Sequence, residues 1–316
     1  MAVIQQSIWR DFVAEQLIKN NEFLKFVKPV SQANIINGRS VNIPNAGALP
    51  GVTVNDATVG GTIGVRTDTV ASYDLNWFRT NPVLIDHLDE VELSYDKTAS
   101  VMKAQTDALS EAVGNYFFYW MLANGGTEWT PGTNAVVTSG SAGTNNSPAY
   151  TANRLMLTLA NLMSAGYLMS RQGVPKNDRF AVLPTVMYYE LMAAIGVVGN
   201  ANTELIKGFN NNEGKLLNVA GFNVMERASV AYGTSTGTET VVAPTAGVWT
   251  EVNTMCHAGI CFQSEAVEFA LGDVKLFETK DSAEYYGSIY SGEVRAGGRP
   301  VYSGNYGIVP IFQVTS

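Results

Sequence analysis

Several residue groups in this sequence have types and spacings that could do chemistry. Gly233-Thr234-Ser235-Thr236-Gly237 matches the G-x-S-x-G turn that presents a serine nucleophile in hydrolases. That turn needs a strand before it and a helix after it. Here the next residues, Thr238 to Val242, are mostly β-branched and strand-like, the only later histidine is His257, and no aspartate lies between Ser235 and His257. The pattern predicts an ordinary turn between two strands. Cys256-His257 followed by Cys261 could begin a metal site, but tetrahedral zinc takes four ligands. On one strand Cys256 and Cys261 face opposite sides, so both are expected to be small buried hydrophobes. Asp86, Asp89, Glu90, Glu92 and Asp96 lead into a long helical pattern. They lack the alternating ligands and the glycine of a calcium loop, and carboxylates at a helix start are favoured by its dipole. An alternative for Asp89 and Glu92 is an ion-pair strip between subunits, meeting Arg39, Arg66 or Arg79. Gly60-Gly61-Thr62-Ile63-Gly64 has the wrong spacing for a phosphate loop. No catalytic constellation emerges, so no enzymatic activity, cofactor or metal is expected.

Composition points elsewhere. The chain has 316 residues and 34.0 kDa, and 46% of it is hydrophobic, enough for a sizeable core. Only 15% of residues are charged, against about 25% in a typical soluble protein. A solitary globule needs surface charge to stay soluble and monomeric, so much of this surface is expected to lie against other chains. The net charge of −8 and pI near 4.9 argue against a free-standing nucleic-acid binder, which would carry a basic face. Two cysteines exclude a disulfide-stapled scaffold. The amino end turns polar before any signal-peptide core forms, and no apolar run reaches the length of a membrane span.

The elements that would position these residues follow from periodicity. Residues 3–26 read as a helix through Ile4, Ile8 and Phe12, stopped by Lys28-Pro29. Trp9 and Phe12 have no core of their own there, so they are expected to contact a neighbour. Residues 31–80 are strand-like, alternating in Ser40 to Ile43 and Gly51 to Val54, with a Gly-rich tip from Asn45 to Gly51. Such a ribbon is marginal alone and needs a covering partner. Residues 91–123 carry the longest helical pattern, with Met102, Leu109, Val113, Tyr116 and Trp120 on one face. Its aromatic end, Tyr116 to Trp120, has no interleaved basic residue and reads as core rather than as a nucleic-acid platform. Helices are expected over 153–169 and from Thr185 to Ile195, with strands at 180–184, 221–225, 240–242, 258–262, 274–277, 285–294 and 306–312.

The order of parts resembles a specific family: an amino-terminal arm, an extended Gly-rich hairpin, one long helix, an α/β lobe, then returning strands. Local signals are Arg179-Phe180-Ala181-Val182-Leu183-Pro184 leading to Tyr188-Tyr189-Glu190-Leu191, then Gly221-Phe222-Asn223-Val224 and Glu265 to Ala270. The last is Tyr285-Tyr286-Gly287 to Glu293-Val294-Arg295-Ala296-Gly297. Together they are similar to the major capsid proteins of tailed phages with the Hong Kong 97-type fold. The resemblance implies an α+β fold with an N-arm at 1–30, an extended E-loop at 31–80 and a P-domain at 81–150 that holds the spine helix 91–123. It places an A-domain at 151–250 and returning P-domain strands at 251–316. It further implies icosahedral assembly of pentamers and hexamers around double-stranded DNA, with a portal and a separate scaffolding protein as partners. The implied location is the virion, after assembly in the host bacterial cytoplasm. Some relatives crosslink through an E-loop lysine; no lysine occurs between Lys28 and Lys97, so no such bond is expected. The hairpin is reached by residue 31, so an attached scaffolding segment is not expected. The alternatives are an encapsulin-type shell housing enzymes, a tail or decoration protein, and a hydrolase using Ser235.

Overall fold

Alternation along one strand decides the architecture. Between Met255 and Gln263, Cys256, Ala258, Ile260 and Phe262 enter one apolar core, whereas Cys261 enters another. A period of two puts successive side chains on opposite faces, so this strand lies between two cores and both cysteines are buried, with no disulfide between them.

The computed structural model describes residues 21–31, 39–45, 69–86, 97–123, 129–143, 152–198, 218–234 and 240–315, with short stretches at 16, 35–36, 209–210 and 215–216. In chain order the strands and helices are β1 (Lys28–Pro29), β2 (Ile35–Ile36), β3 (Ser40–Asn45), β4 (Thr69–Asp74), β5 (Asn76–Arg79), β6 (Val83–Asp86) and α1 (Lys97–Leu122). Then come β7 (Val136–Val137), α2 (Leu159–Arg171), β8 (Arg179–Pro184), α3 (Thr185–Val198), β9 (Phe209–Asn210), β10 (Lys215–Leu216) and β11 (Asn218–Val219). The last are β12 (Phe222–Arg227), β13 (Ala231–Thr234), β14 (Met255–Gln263), β15 (Val267–Ser282), β16 (Gly287–Pro300) and β17 (Ile308–Phe312).

A seven-stranded sheet runs β11-β12-β8-β14-β17-β7, with β13 also paired to β14. β8 and β12 are parallel, which the intervening α3 permits. All six residues of β8 are buried, as a strand covered on both faces requires. One face packs on α2 and α3 through Leu162, Leu168, Met187 and Leu191. The other shares a core with α1, whose Leu109, Val113, Phe117 and Phe118 are buried.

That second core also receives a five-stranded sheet, β1-β15-β16-β5, with β6 pairing further along β16. Its centre is the long antiparallel β15–β16 hairpin, paired from Val267↔Pro300 to Ser282↔Gly287 with register shifts between Leu271 and Val274 and between Thr279 and Ser282. Val294 and Phe78 are paired across β16 and β5 and face α1. At 26 residues α1 is about 39 Å long. Its final turns are aromatic because two sheets close on them.

Three sequence expectations need correction. Residues 3–26 do not form one helix: Asn21 has φ −117° and ψ 72°, and Glu22–Phe26 is a single 3-10 turn. The side chains of Phe23 and Leu24 are buried in the α1 core, and this tertiary demand overrides the helical spacing. The last strand of the 31–80 segment, β5, belongs to the body sheet rather than to a free ribbon. The helix expected from residue 153 begins at Leu159, because Arg154 and Leu155 instead bridge to Thr315 and Ala142. The expected start of the long helix, 91–96, lies outside the described residues.

Candidate assembly surfaces

The root of the hairpin is fixed to the body by side chains of three strands. β3 and β4 pair antiparallel, from Ser40↔Asp74 to Asn45↔Thr69. Val41, Leu75 and Ala270 are buried together, with Tyr73, Ile35, Ile43 and Val30 around them. This small cluster sits on the face of the five-stranded sheet turned away from α1. Gly297 permits the approach, since a Cβ there would lie 2.7 Å from Leu75 Cδ2. Beside it the Arg299 Nε donates to Glu268 Oε1 at 2.6 Å, and the Arg299 guanidinium lies 5.3 Å from the Tyr73 ring centroid. Glu268 is only 3% exposed. Burial pushes the Tyr73 phenol well above its usual range, with Glu268 adding to the effect and Arg299 opposing it.

A second surface lies along β5, an edge strand of the sheet. Arg79 Nε donates to Glu293 Oε2 at 2.5 Å, and Arg295 approaches the other oxygen at 3.6 Å. Glu293 is 3% exposed, whereas Trp77 is 62% exposed with the Arg79 guanidinium 4.3 Å from its ring. Between β5, the Ala108–Tyr116 stretch of α1 and the Ala246–Gly247 backbone runs a groove of about 550 Å³. An edge strand offers unpaired backbone donors and acceptors, here next to apolar walls.

Residues 21–26 dock on α1 at a third junction. Asn21 Nδ2 donates to the Ser110 carbonyl at 2.8 Å, and Phe23 stacks on Phe117 at 5.5 Å and lies tilted against Phe118 with centroids 4.4 Å apart. Arg227, at the end of β12, donates to Asn115 Oδ1 at 2.6 Å and to the Ser229 carbonyl, with its guanidinium 5.3 Å from the Phe118 ring. Burial lowers the Arg227 pKa to about 10, partly offset by Glu111.

Of the residues expected to make inter-subunit contacts, Trp9, Phe12, Arg66, Asp89 and Glu92 lie outside the described residues. Arg39 is exposed at the hairpin root, where its carbonyl accepts from Leu75 N at 2.7 Å. Arg79 pairs with Glu293 of its own chain. Spacing along the chain missed Glu268, Glu293 and Arg227, whose partners are distant in sequence. The only signal for the first two was a carboxylate inside an otherwise apolar or glycine-rich strand.

The candidate chemistry has a structural explanation. Gly233 and Thr234 end β13, and Thr234 N donates to the Thr240 carbonyl at 2.9 Å while Gly233 bridges to Val241. The G-x-S-x-G pattern begins at the end of β13, and the strand expected at 240–242 is only an isolated bridge at Val241; Ser235 itself lies outside the described residues. Burial pushes the Cys261 thiol far above its usual range, which leaves it unreactive. Among the described residues no group of three or more His, Cys, Asp or Glu could hold a metal ion. No described helix is long and apolar enough to cross a membrane.

No family model matches the chain, and no curated protein matches it by sequence. Solved structures do. A structure of Mycobacterium phage Che8 aligns at 16% identity over 92% of this chain and 90% of that one, with a TM-score of 0.59. The capsid of cyanophage P-SCSP1u aligns at 20% identity over 92% and 86%, with a TM-score of 0.57. The virus-like particle of Pyrococcus furiosus aligns at 13% identity over 97% and 99%, with a TM-score of 0.54. At such identities the likeness speaks to the fold, and function must be argued from the surfaces.

Proposed function

The chain has the α+β capsid fold of Hong Kong 97 type, and from that premise we propose that it is the major capsid protein of a tailed phage. Copies of it would assemble into pentamers and hexamers of an icosahedral head around double-stranded DNA, with a structural and not a catalytic role. In this reading residues 1–30 are the N-arm, 31–80 the E-loop with its last strand β5 in the body sheet, 81–150 the P-domain, 151–250 the A-domain and 251–316 the strands returning to the P-domain. A portal and a separate scaffolding protein would be its partners. The protein would reside in the virion after assembly in the host bacterial cytoplasm.

The observation that carries the reading is the fold-wide alignment to phage capsids joined to a hairpin rooted on the outer face of the sheet. The physical logic is burial. The chain exposes 17335 Å², about a third more than the roughly 13,000 Å² of a compact monomer of this mass. Contacts between copies would cover that surface and the edge of β5, and many modest contacts sum through multivalency. The acidic balance would limit adhesion of DNA to the wall.

A second reading, an encapsulin-type compartment, is favoured by the match to the Pyrococcus virus-like particle along nearly its whole length. One experiment separates the two. The chain is produced in bacteria and its particles are imaged in negative stain; those isolated from virions are assayed for nucleic acid. Closed shells built of this chain and filled with DNA support the capsid reading. Shells filled with enzyme support the compartment, and the absence of any shell rejects both.

A further inference from the structure

The face of the five-stranded sheet turned away from α1 is covered in its near half by the hairpin root, through Val41, Leu75 and Ala270. Further along, the register puts a second set of side chains on the same face. Arg295 stands opposite Trp77, Lys275 and Arg79 flank Glu293, and Thr279 and Leu84 flank Ile289. Directly opposite residues of antiparallel strands share a face, and Phe277 joins them by the period of two. The alternate residues Phe78, Leu276 and Val294 enter the α1 core, which settles the side. Among the described residues no helix or strand covers this far half: Trp77 is 62% exposed, Phe277 50% and Leu84 43%. The solvated face of an antiparallel sheet is characteristically polar, and three large apolar side chains break that pattern.

Taking the chain as the capsid protein proposed above, we infer that this far face docks a second copy, which meets it with a different and acidic surface. The anchor is set in place before contact. Glu293, 3% exposed, accepts from Arg79 Nε at 2.5 Å, and the Arg79 guanidinium lies 4.3 Å from the Trp77 ring. Side chains already ordered lose little freedom on binding, and Trp and Arg are enriched among the residues that dominate contact energy. Charge identifies the opposing surface. The centre of the face holds Arg79, Arg295 and Lys275 around the single carboxylate of Glu293, with Asp273 in the register shift and Asp86 at the tip bordering it. The chain as a whole carries −8. Laying this face against itself would oppose like charges, whereas an acidic surface of another copy complements it. The area calls for more than one contact per copy. The exposed 17335 Å² exceeds that of a compact monomer by roughly 4,000 Å², about five times what one partner buries in a standard contact. A head-to-tail contact uses two surfaces of every copy and, repeated by rotation, closes a ring.

Trp77→Ser and Phe277→Ser in the full chain test this, read by sedimentation velocity over a concentration series at neutral pH. Both side chains are exposed, so the far-ultraviolet spectrum and urea midpoint should match those of the parent chain. The expected result is that the parent assembles, and that each variant needs about thirtyfold more protein for half-assembly, the loss that marks a hot-spot side chain. Folded variants that assemble like the parent overturn the inference and leave the capsid reading standing. A parent chain that stays single at every concentration overturns both. Should a variant fail to fold, the unaltered chain is assembled from a mixture of light- and heavy-isotope copies and treated with a carbodiimide, which joins an amine to a touching carboxylate. Mixed-isotope links from Lys275 to an aspartate or glutamate outside the face support the contact. No such links, or links only to carboxylates of the same face, refute it.

Discussion

Gly114 shows how a missing side chain can organise a junction. A Cβ there would strike Asn21 Oδ1 and come within 2.6 Å of an Arg227 guanidinium nitrogen, so arm, long helix and β12 meet only because the position is glycine. Gly114→Ala adds helix propensity but forces two hydrogen-bonded side chains apart; overpacking of this kind costs about 1–3 kcal/mol, so the urea midpoint should fall. Glu268→Ala should cost about 1.5–3 kcal/mol by stranding Arg299, as expected when a hydrogen bond to a charged group is lost. Because Arg299 also lies over Tyr73, that variant should loosen the hairpin root, seen as faster amide exchange in β3 and β4. At this scale the sequence was legible only where the signal is local. The opposite facing of Cys256 and Cys261 follows from the strand period alone, whereas nothing near Gly114 announces Asn21 or Arg227.

Among the elements, the long helix was the most legible, since a pattern sustained over many turns outweighs competing preferences. The arm was misread at its end for the opposite reason: five residues, Glu22–Phe26, carry too little periodicity to resist the pull of the Phe117–Phe118 core. Phe23→Ala should therefore cost about 3–5 kcal/mol, typical of a buried aromatic, measured by chemical denaturation. β5 was grouped with the ribbon because its alternation is the same as theirs; only its register with β16, more than two hundred residues later, assigns it to the body. The hairpin itself can be tested as an element. Deleting residues 45–60 spares the buried trio of Val41, Leu75 and Ala270. The expected product is a soluble body with an unchanged far-ultraviolet spectrum that fails to form shells. Loss of the folded body would place the hairpin tip in its core.

For the whole molecule, composition was the clearest signal: a chain with only 15% charged residues spread over so large a surface is built to be covered. Which strips of surface meet was not legible, because assembly contacts have no period and no local motif. The lysine-free stretch between Lys28 and Lys97 predicts that boiled particles run as single chains near 34.0 kDa on a denaturing gel, with no ladder of crosslinked multiples. Sedimentation velocity of the purified chain in dilute neutral buffer asks the main question directly. Rings of five or six copies, or closed particles of megadalton mass, are the predicted species. A single compact 34.0 kDa species, unchanged on concentration, would contradict the capsid account.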